Sequence, residues 1–365
     1  MTLNTFGAEA SPPAGSAAAE LPGKAGSCLP LKSSATPAKP GLEAERATPL
    51  PKAQGQLLHW ASADGQPLAV RCFEPARPQA QQAIVIASAT GVPQGLYRAL
   101  ATWMAARGVH VYTFDYRGVA ASRPHQLRGY QAGFSEWAAD IDTVLAQVLQ
   151  RHSAVSLLGH SIGGFLAPAA PHAAALQSLL LVGAQTAYWR DWPQPKRYPM
   201  ALLWHGLMPL LTLAVGYFPG RALRLGEDLP RGVAMQWAAR PWRDPFDDRL
   251  RGADASGASP LAAGAGARMR QAYARVLPTV HLLAAADDPF ATPAAQDRVA
   301  TQLTGSKVQR HVLVPAQLRL ASLGHFDIFK TRASACWPLL LSLALGEAQR
   351  SVSDQATAAT ADFFD

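Results

Sequence analysis

Three features of this chain predict an α/β fold built on a mostly parallel sheet flanked by helices, with a helical insertion. Apolar runs alternate with segments of helical periodicity between residues 83 and 182, the pattern of a sheet covered on both faces. A glycine-flanked serine, Ser161, stands between one apolar run and the next helical segment. A later apolar run, Val280-His281-Leu282-Leu283-Ala284-Ala285-Ala286, ends in the adjacent carboxylates Asp287 and Asp288.

The elements follow in order. Residues 56–60 and 67–73 flank the turn signal Ala63-Asp64-Gly65 and read as a hairpin. The continuous run Ala83-Ile84-Val85-Ile86-Ala87 fits a strand buried on both faces. Leu96 to Arg107 has helical periodicity and stops at Gly108, and 109–114 is the next strand. Phe134 to Arg151 is an amphipathic helix, with Trp137, Ile141, Val144 and Val148 on one side. Ala154-Val155-Ser156-Leu157-Leu158 is a short buried strand leading to the serine. Between Val182 and Thr279 the alternation breaks. That stretch, rich in tryptophan, arginine and proline, reads as an inserted cap. Its apolar segment, Met200 to Val215, approaches membrane-spanning length but contains His205, Gly206 and Pro209 and lacks flanking topology signals. It predicts two buried helices broken at Gly206-Leu207-Met208-Pro209, with no stable membrane span. The expected division is a core at 56–185 and 275–346, a cap at 186–274, and tails at 1–50 and 347–365.

The chemistry centres on Gly159-His160-Ser161-Ile162-Gly163. A strand, a tight glycine-flanked turn and a helix present a serine hydroxyl at the sheet edge as a nucleophile elbow. Such a serine needs a base, and the base an orienting acid. Asp287-Asp288-Pro289 supplies acids at a strand end, where proline stops the strand. Leu323-Gly324-His325-Phe326 supplies a histidine on a later loop, so the chain order is Ser, Asp, His. His160, His281 and His311 are rival bases, and each reads as structural.

Phe114-Asp115-Tyr116-Arg117-Gly118-Val119-Ala120-Ala121-Ser122 resembles the D-x-R-G-x-G-x-S segment of many α/β-hydrolases, with Ala120 at the second glycine. Within that superfamily the chain resembles a bacterial group of uncharacterised hydrolases over about residues 56 to 345. The likeness rests on Ala89-Thr90-Gly91-Val92-Pro93-Gln94, Tyr188-Trp189-Arg190-Asp191-Trp192 and Gly216-Tyr217-Phe218-Pro219-Gly220. It extends to Gly226-Glu227-Asp228-Leu229-Pro230 with Trp237, and to the Asp288 and His325 segments. The resemblance implies an α/β-hydrolase fold and a triad of Ser161, His325 and Asp288, with Asp287 as the alternative acid. It also implies an oxyanion hole made by the backbone N–H of Ile162 with that of Thr90 or Gly91.

Composition bounds the function. The 365 residues, 49% of them hydrophobic, suffice for one capped domain plus tails. Residues 1–50 are dominated by Ala, Pro, Ser, Gly and Lys and read as disordered, without a secretory signal. Cys28, Cys72 and Cys336 are widely spaced, which fits a reducing, cytoplasmic setting and no disulfide framework. Neither the cysteines nor the ten histidines show metal-ligand spacing, so no metal or other cofactor is expected. The net charge of +8 comes from scattered arginines without a nucleic-acid motif, so no nucleic-acid partner is expected. The expected activity is hydrolysis of an ester or related acyl bond in a small, hydrophobic substrate. An acyltransferase using the same residues, or an inactive scaffold binding a hydrophobic ligand or protein, are the alternatives. Oligomeric state has no signature in the sequence.

Overall fold

The computed structural model describes residues 55–77, 81–239, 264–275 and 277–346. The two expected tails and Cys28 lie outside them. The chain begins with the expected hairpin: β1 (Gln56–Ala61) pairs antiparallel with β2 (Pro67–Phe73) across a turn in which Gly65 takes φ +79°. β3 (Gln82–Ala87) follows, then a 3-10 turn over Gln94–Tyr97 that runs into α1 (Arg98–Ala105). Gly108, at φ +91°, ends that segment where the sequence placed its stop. β4 (His110–Phe114), α2 (Phe134–Leu149), β5 (Ala154–His160), α3 (Ile162–Leu166) and β6 (Leu179–Val182) complete the first half.

One eight-stranded sheet, in the order β1-β2-β4-β3-β5-β6-β7-β8, organises the described residues. β1 and β2 run antiparallel at one edge, and every pairing from β4 onward is parallel. β7 (Val280–Ala285) and β8 (Val308–Leu313) lie on either side of α8 (Pro293–Ala300) in the sequence, and α9 (Trp337–Leu345) is the last helix described. The apolar runs lack a polar alternate because both sheet faces are covered. Ala83, Val85 and Ala87 of β3 pack into one cluster with α2 residues such as Trp137 and Ile141. Ile84 and Ile86 pack into the other, with Leu100 and Met104 of α1 and Trp337 and Leu340 of α9.

Between β6 and β7 the chain forms α4 (Arg197–Ala201), a π-helical turn over Leu202–Leu207, α5 (Met208–Val215), α6 (Arg231–Ala238) and α7 (Ala265–Ala274). Here the structure corrects the expectation of two buried helices broken at Gly206–Pro209. The run from Arg197 to Val215 is helical throughout. Pro209 has no amide to offer the carbonyl four residues back. A π turn, whose carbonyls bond five residues on, passes over that gap without breaking the helix. Nor is the run buried: within it only Met208 and Thr212 are.

Candidate active site

Parallel strands place all their C-terminal ends at one sheet edge, and the chemistry-bearing residues fall there. Ser161 follows β5 with φ +53° and ψ −113°, a conformation a non-glycine residue adopts only under strain, on the order of 1–3 kcal/mol. The flanking glycines are dictated by space. A Cβ on Gly159 would lie 2.6 Å from the Gly164 Cα, and one on Gly163 would lie 2.3 Å from the Ala87 carbonyl oxygen. The Ser161 amide donates to the Val182 carbonyl at 2.9 Å, which ties the turn to β6.

His325 and Asp288 meet at this edge. His325 Nδ1 lies 2.7 Å from Asp288 Oδ2, and the two side chains are only 4% and 3% exposed. The other Asp288 oxygen accepts from the amides of Phe290 and Ala291, at 2.8 and 3.0 Å. Asp287 turns elsewhere. Its oxygens accept from the amides of Leu323 and Gly324, at 2.9 and 3.0 Å, and so clamp the loop that carries the histidine. Sequence reasoning missed that clamp, and it missed Gly183. Gly183 follows β6 at φ +61°, and a Cβ there would lie 2.9 Å from His325 Cε1 and 3.3 Å from Asp288 Oδ2. A single glycine directly after an apolar strand was the available signal.

The loop after β3 carries the other predicted group. Thr90 lines the cleft with Ser161, and its Oγ1 accepts from the Trp237 indole N–H at 2.8 Å. Gly91, at φ +65°, turns its carbonyl to accept from the Glu227 amide at 2.8 Å. Ile162 is buried directly after Ser161, at the first position of α3. Neither the Thr90 nor the Ile162 amide has an internal acceptor among the described residues.

The cleft is partly open to solvent, with Trp192, Trp204, Trp237 and Phe290 forming much of its wall. Its walls are pinned by charge. Arg298 makes a two-pronged bond to Asp191 at 2.6 and 2.8 Å, and Arg123 pairs with Asp228 at 2.7 Å. These acids lie in the segments that carry the resemblance described above, and the structure gives them anchoring work.

The rival histidines lie elsewhere. His281 sits at the second position of β7, far along the strand from the Asp288 edge, and faces His311 on β8 at 3.1 Å. His160 is wholly buried, between the Tyr97 hydroxyl, 2.8 Å from Nδ1, and the His325 carbonyl oxygen, 3.0 Å from Nε2. Burial, with His325 contributing less, holds its imidazole well below the usual histidine range and therefore neutral. The Asp115 segment is structural too. Asp115 accepts from the Gln94 amide and side chain at 2.7 and 2.9 Å, and Ser122 Oγ accepts from the Ala69 amide at 2.8 Å. Ala120 takes φ +42°, which accounts for the glycine usual at that place. Among the described residues no group of three or more His, Cys, Asp or Glu is placed to hold a metal ion.

An eight-stranded, mostly parallel sheet with a strained serine at the turn after its central strand is the α/β-hydrolase fold. The family described as serine aminopeptidase, S33, matches residues 78–316, more than half of the chain, and the protein belongs to that serine hydrolase family. No curated protein matches the chain significantly. The fold is similar to that of a soluble variant of monoglyceride lipase from Saccharomyces cerevisiae in complex with a substrate analogue. That likeness has a TM-score of 0.54 at 12% identity, over 82% of this chain and 98% of that one. DcsB in complex with its substrate analogue is also similar, with a TM-score of 0.52 at 13% identity over 80% of this chain and 98% of that one. At such identities the likeness extends to the fold alone.

Proposed function

We propose that this hydrolase cleaves carboxylic esters of hydrophobic acyl groups through an acyl-enzyme on Ser161. The observation that carries the reading is the buried Asp288–His325 pair, 2.7 Å apart, whose histidine lines one cleft with the strained Ser161. Asp288 accepts from Nδ1–H, which leaves Nε2 of His325 with its lone pair to take the serine proton. Ser161 Oγ then attacks the ester carbonyl, and its oxyanion is met by the amides of Ile162 and Thr90. His325 returns the proton to the leaving alcohol, then activates the water that releases the acid.

The 186–274 segment acts as a cap, and its Trp192, Trp204 and Trp237 face an acyl chain across the cleft. An ester fits better than a peptide N-terminus. An aminopeptidase must hold a cationic α-amino group, and no carboxylate is among the described residues that line this cleft. The test is covalent labelling by a fluorophosphonate probe together with turnover of p-nitrophenyl esters of graded chain length. Ser161→Ala is expected to abolish labelling and to lower turnover by about 10³-fold or more. Labelling retained in that variant would remove Ser161 from the mechanism, and failure of every ester would overturn the substrate class.

A further inference from the structure

We propose that the outer face of the Arg197–Val215 helical run docks on the surface of anionic phospholipid bilayers. The run spans 19 residues and is long and apolar enough, by composition, to cross a membrane. It is nevertheless tied into the fold. Met208 and Thr212 are buried beneath it, and His205 Nδ1 donates to the Ala238 carbonyl at 2.9 Å. A helix held along one side lies on a bilayer and does not cross it.

Its other side is apolar and uncovered. Tyr198, Leu202, Leu210 and Leu213 are 57%, 70%, 66% and 56% exposed. The spacings from 198 to 202 and from 210 to 213 keep each pair on one helix face. The π turn between them slows the rotation and brings Leu202 and Leu210 into line. Leu223 and Leu225 are exposed in the loop that follows, interleaved with the exposed Arg221 and Arg224. Of the eleven large hydrophobic residues exposed among the described ones, seven lie between Tyr198 and Leu225, so the exposure is concentrated in one segment.

Charge selects the partner. Lys196 and Arg197 stand at the start of the run and Arg224 beyond its end, Arg221 there being paired with Glu227, and no Asp or Glu occurs between Lys196 and Gly226. The neighbouring acids are already engaged: Asp191 with Arg298, Glu227 with Arg221 and Asp228 with Arg123. Leucine tips among cations match a layer of negative headgroups over hydrocarbon. The long stems of arginine and lysine can also lie along the apolar layer while their charges stay with the headgroups. On the cleft side the same run contributes Trp204, which lines the cleft together with Ser161. Docking would therefore hold the cleft that this run helps to wall close to the pool of acyl lipids. That consequence rests on the ester-hydrolase reading; the docking itself does not.

The experiment is flotation of the full chain with phosphatidylcholine vesicles, with and without phosphatidylglycerol. Binding is expected to the anionic vesicles and to weaken as salt is added. Removing three inserted leucines, Leu202→Ser with Leu210→Ser and Leu213→Ser, is expected to weaken it about 1,000-fold, roughly tenfold per side chain. Lys196→Gln with Arg224→Gln is expected to weaken binding to anionic vesicles about tenfold or more. An unchanged urea midpoint checks that each variant is folded. Absence of flotation, or flotation that the leucine changes leave intact, overturns the proposal. So does a concentration-dependent dimer that the leucine changes abolish without vesicle binding, which would assign the face to a second copy. Vesicle binding by a chain that cleaves no ester would defeat the catalytic reading and leave this one standing.

Discussion

Gly183→Ala perturbs the proposed catalytic pair without replacing either of its residues. The added Cβ would lie 2.9 Å from His325 Cε1, 3.1 Å from Nδ1 and 3.3 Å from Asp288 Oδ2. Favourable carbon contacts begin near 3.5 Å, so the imidazole must retreat by about half an ångström. The 2.7 Å bond to Asp288 cannot survive that shift unaltered, because both partners are buried and lie on the same side of the new methyl. A misplacement of about 1 Å near reacting atoms costs on the order of 10²-fold, so a 10- to 100-fold fall in kcat/KM is expected. The backbone adds a separate effect. Alanine at φ +61° is strained by about 1–2 kcal/mol, which will appear as lost stability. The two are separated by measuring ester kcat/KM and fluorophosphonate acylation alongside urea melts. A variant that is destabilised yet acylates within threefold of the parent would refute the reasoning. It would mean that the His325–Asp288 geometry does not limit the chemistry.

Other expectations follow from the same geometry. Asp288→Asn removes the acceptor for Nδ1–H and should lower kcat by up to about 10⁴-fold. Asp287→Asn should weaken the Leu323–Gly324 clamp by about 1 kcal/mol and slow turnover far less; kinetics and melts on both variants check this, and the opposite ranking would exchange their roles. Ala120→Gly relieves a left-handed alanine but adds freedom to the unfolded chain, so a net gain of up to about 1 kcal/mol is expected. A lower urea midpoint in that variant would show that the strain at φ +42° is smaller than the entropy cost of the glycine. Acid should destabilise the fold, because burial lowers the pKa of both His152 and His281 to about 4. Unfolded histidine titrates near 6.5, so below that value the unfolded chain binds more protons. Stability is then full above about pH 6.5 and is lost as pH falls toward 4. Urea midpoints measured from pH 8 to 5 should decline, and a flat profile would contradict the burial of these rings.

Much of this arrangement was legible in the sequence where local pattern and tertiary demand coincide. β3 is read from Ala83-Ile84-Val85-Ile86-Ala87 because both its faces are buried, so no polar alternate interrupts the run. The elbow is read from Gly159 and Gly163 because each stands where a Cβ would overlap backbone. The choice between Asp287 and Asp288 was not visible locally. Adjacent residues of a turn point in different directions, and which one meets His325 depends on a loop 37 residues on. The helical run at 197–215 was misread because proline and glycine signal breaks in an α-helix, whereas a π turn accommodates both. Its exposure was missed for another reason. An apolar segment in a soluble fold is normally buried, and only the packing shows that this one is not.

His160 shows how a residue beside the proposed nucleophile can matter without touching substrate. The His325 carbonyl oxygen only accepts, so Nε2 of His160 must carry the hydrogen. The buried ring is neutral, so its Nδ1 is bare and must accept from the Tyr97 hydroxyl. The Tyr97 oxygen in turn accepts from the Ala89 amide at 2.9 Å, and burial pushes the phenol pKa up, so its proton stays in place. Every bond in this chain therefore runs in one direction, from Ala89 through Tyr97 and His160 to His325. One end fixes the loop that presents the Thr90 amide, the other the loop that presents the His325 imidazole, and the link passes beside Ser161. Buried networks with every polar atom satisfied hold a single geometry. The two groups proposed to act on opposite sides of a reacting carbonyl are thus positioned by one continuous set of bonds. That requirement gives the residue preceding Ser161 a physical reason to be a histidine.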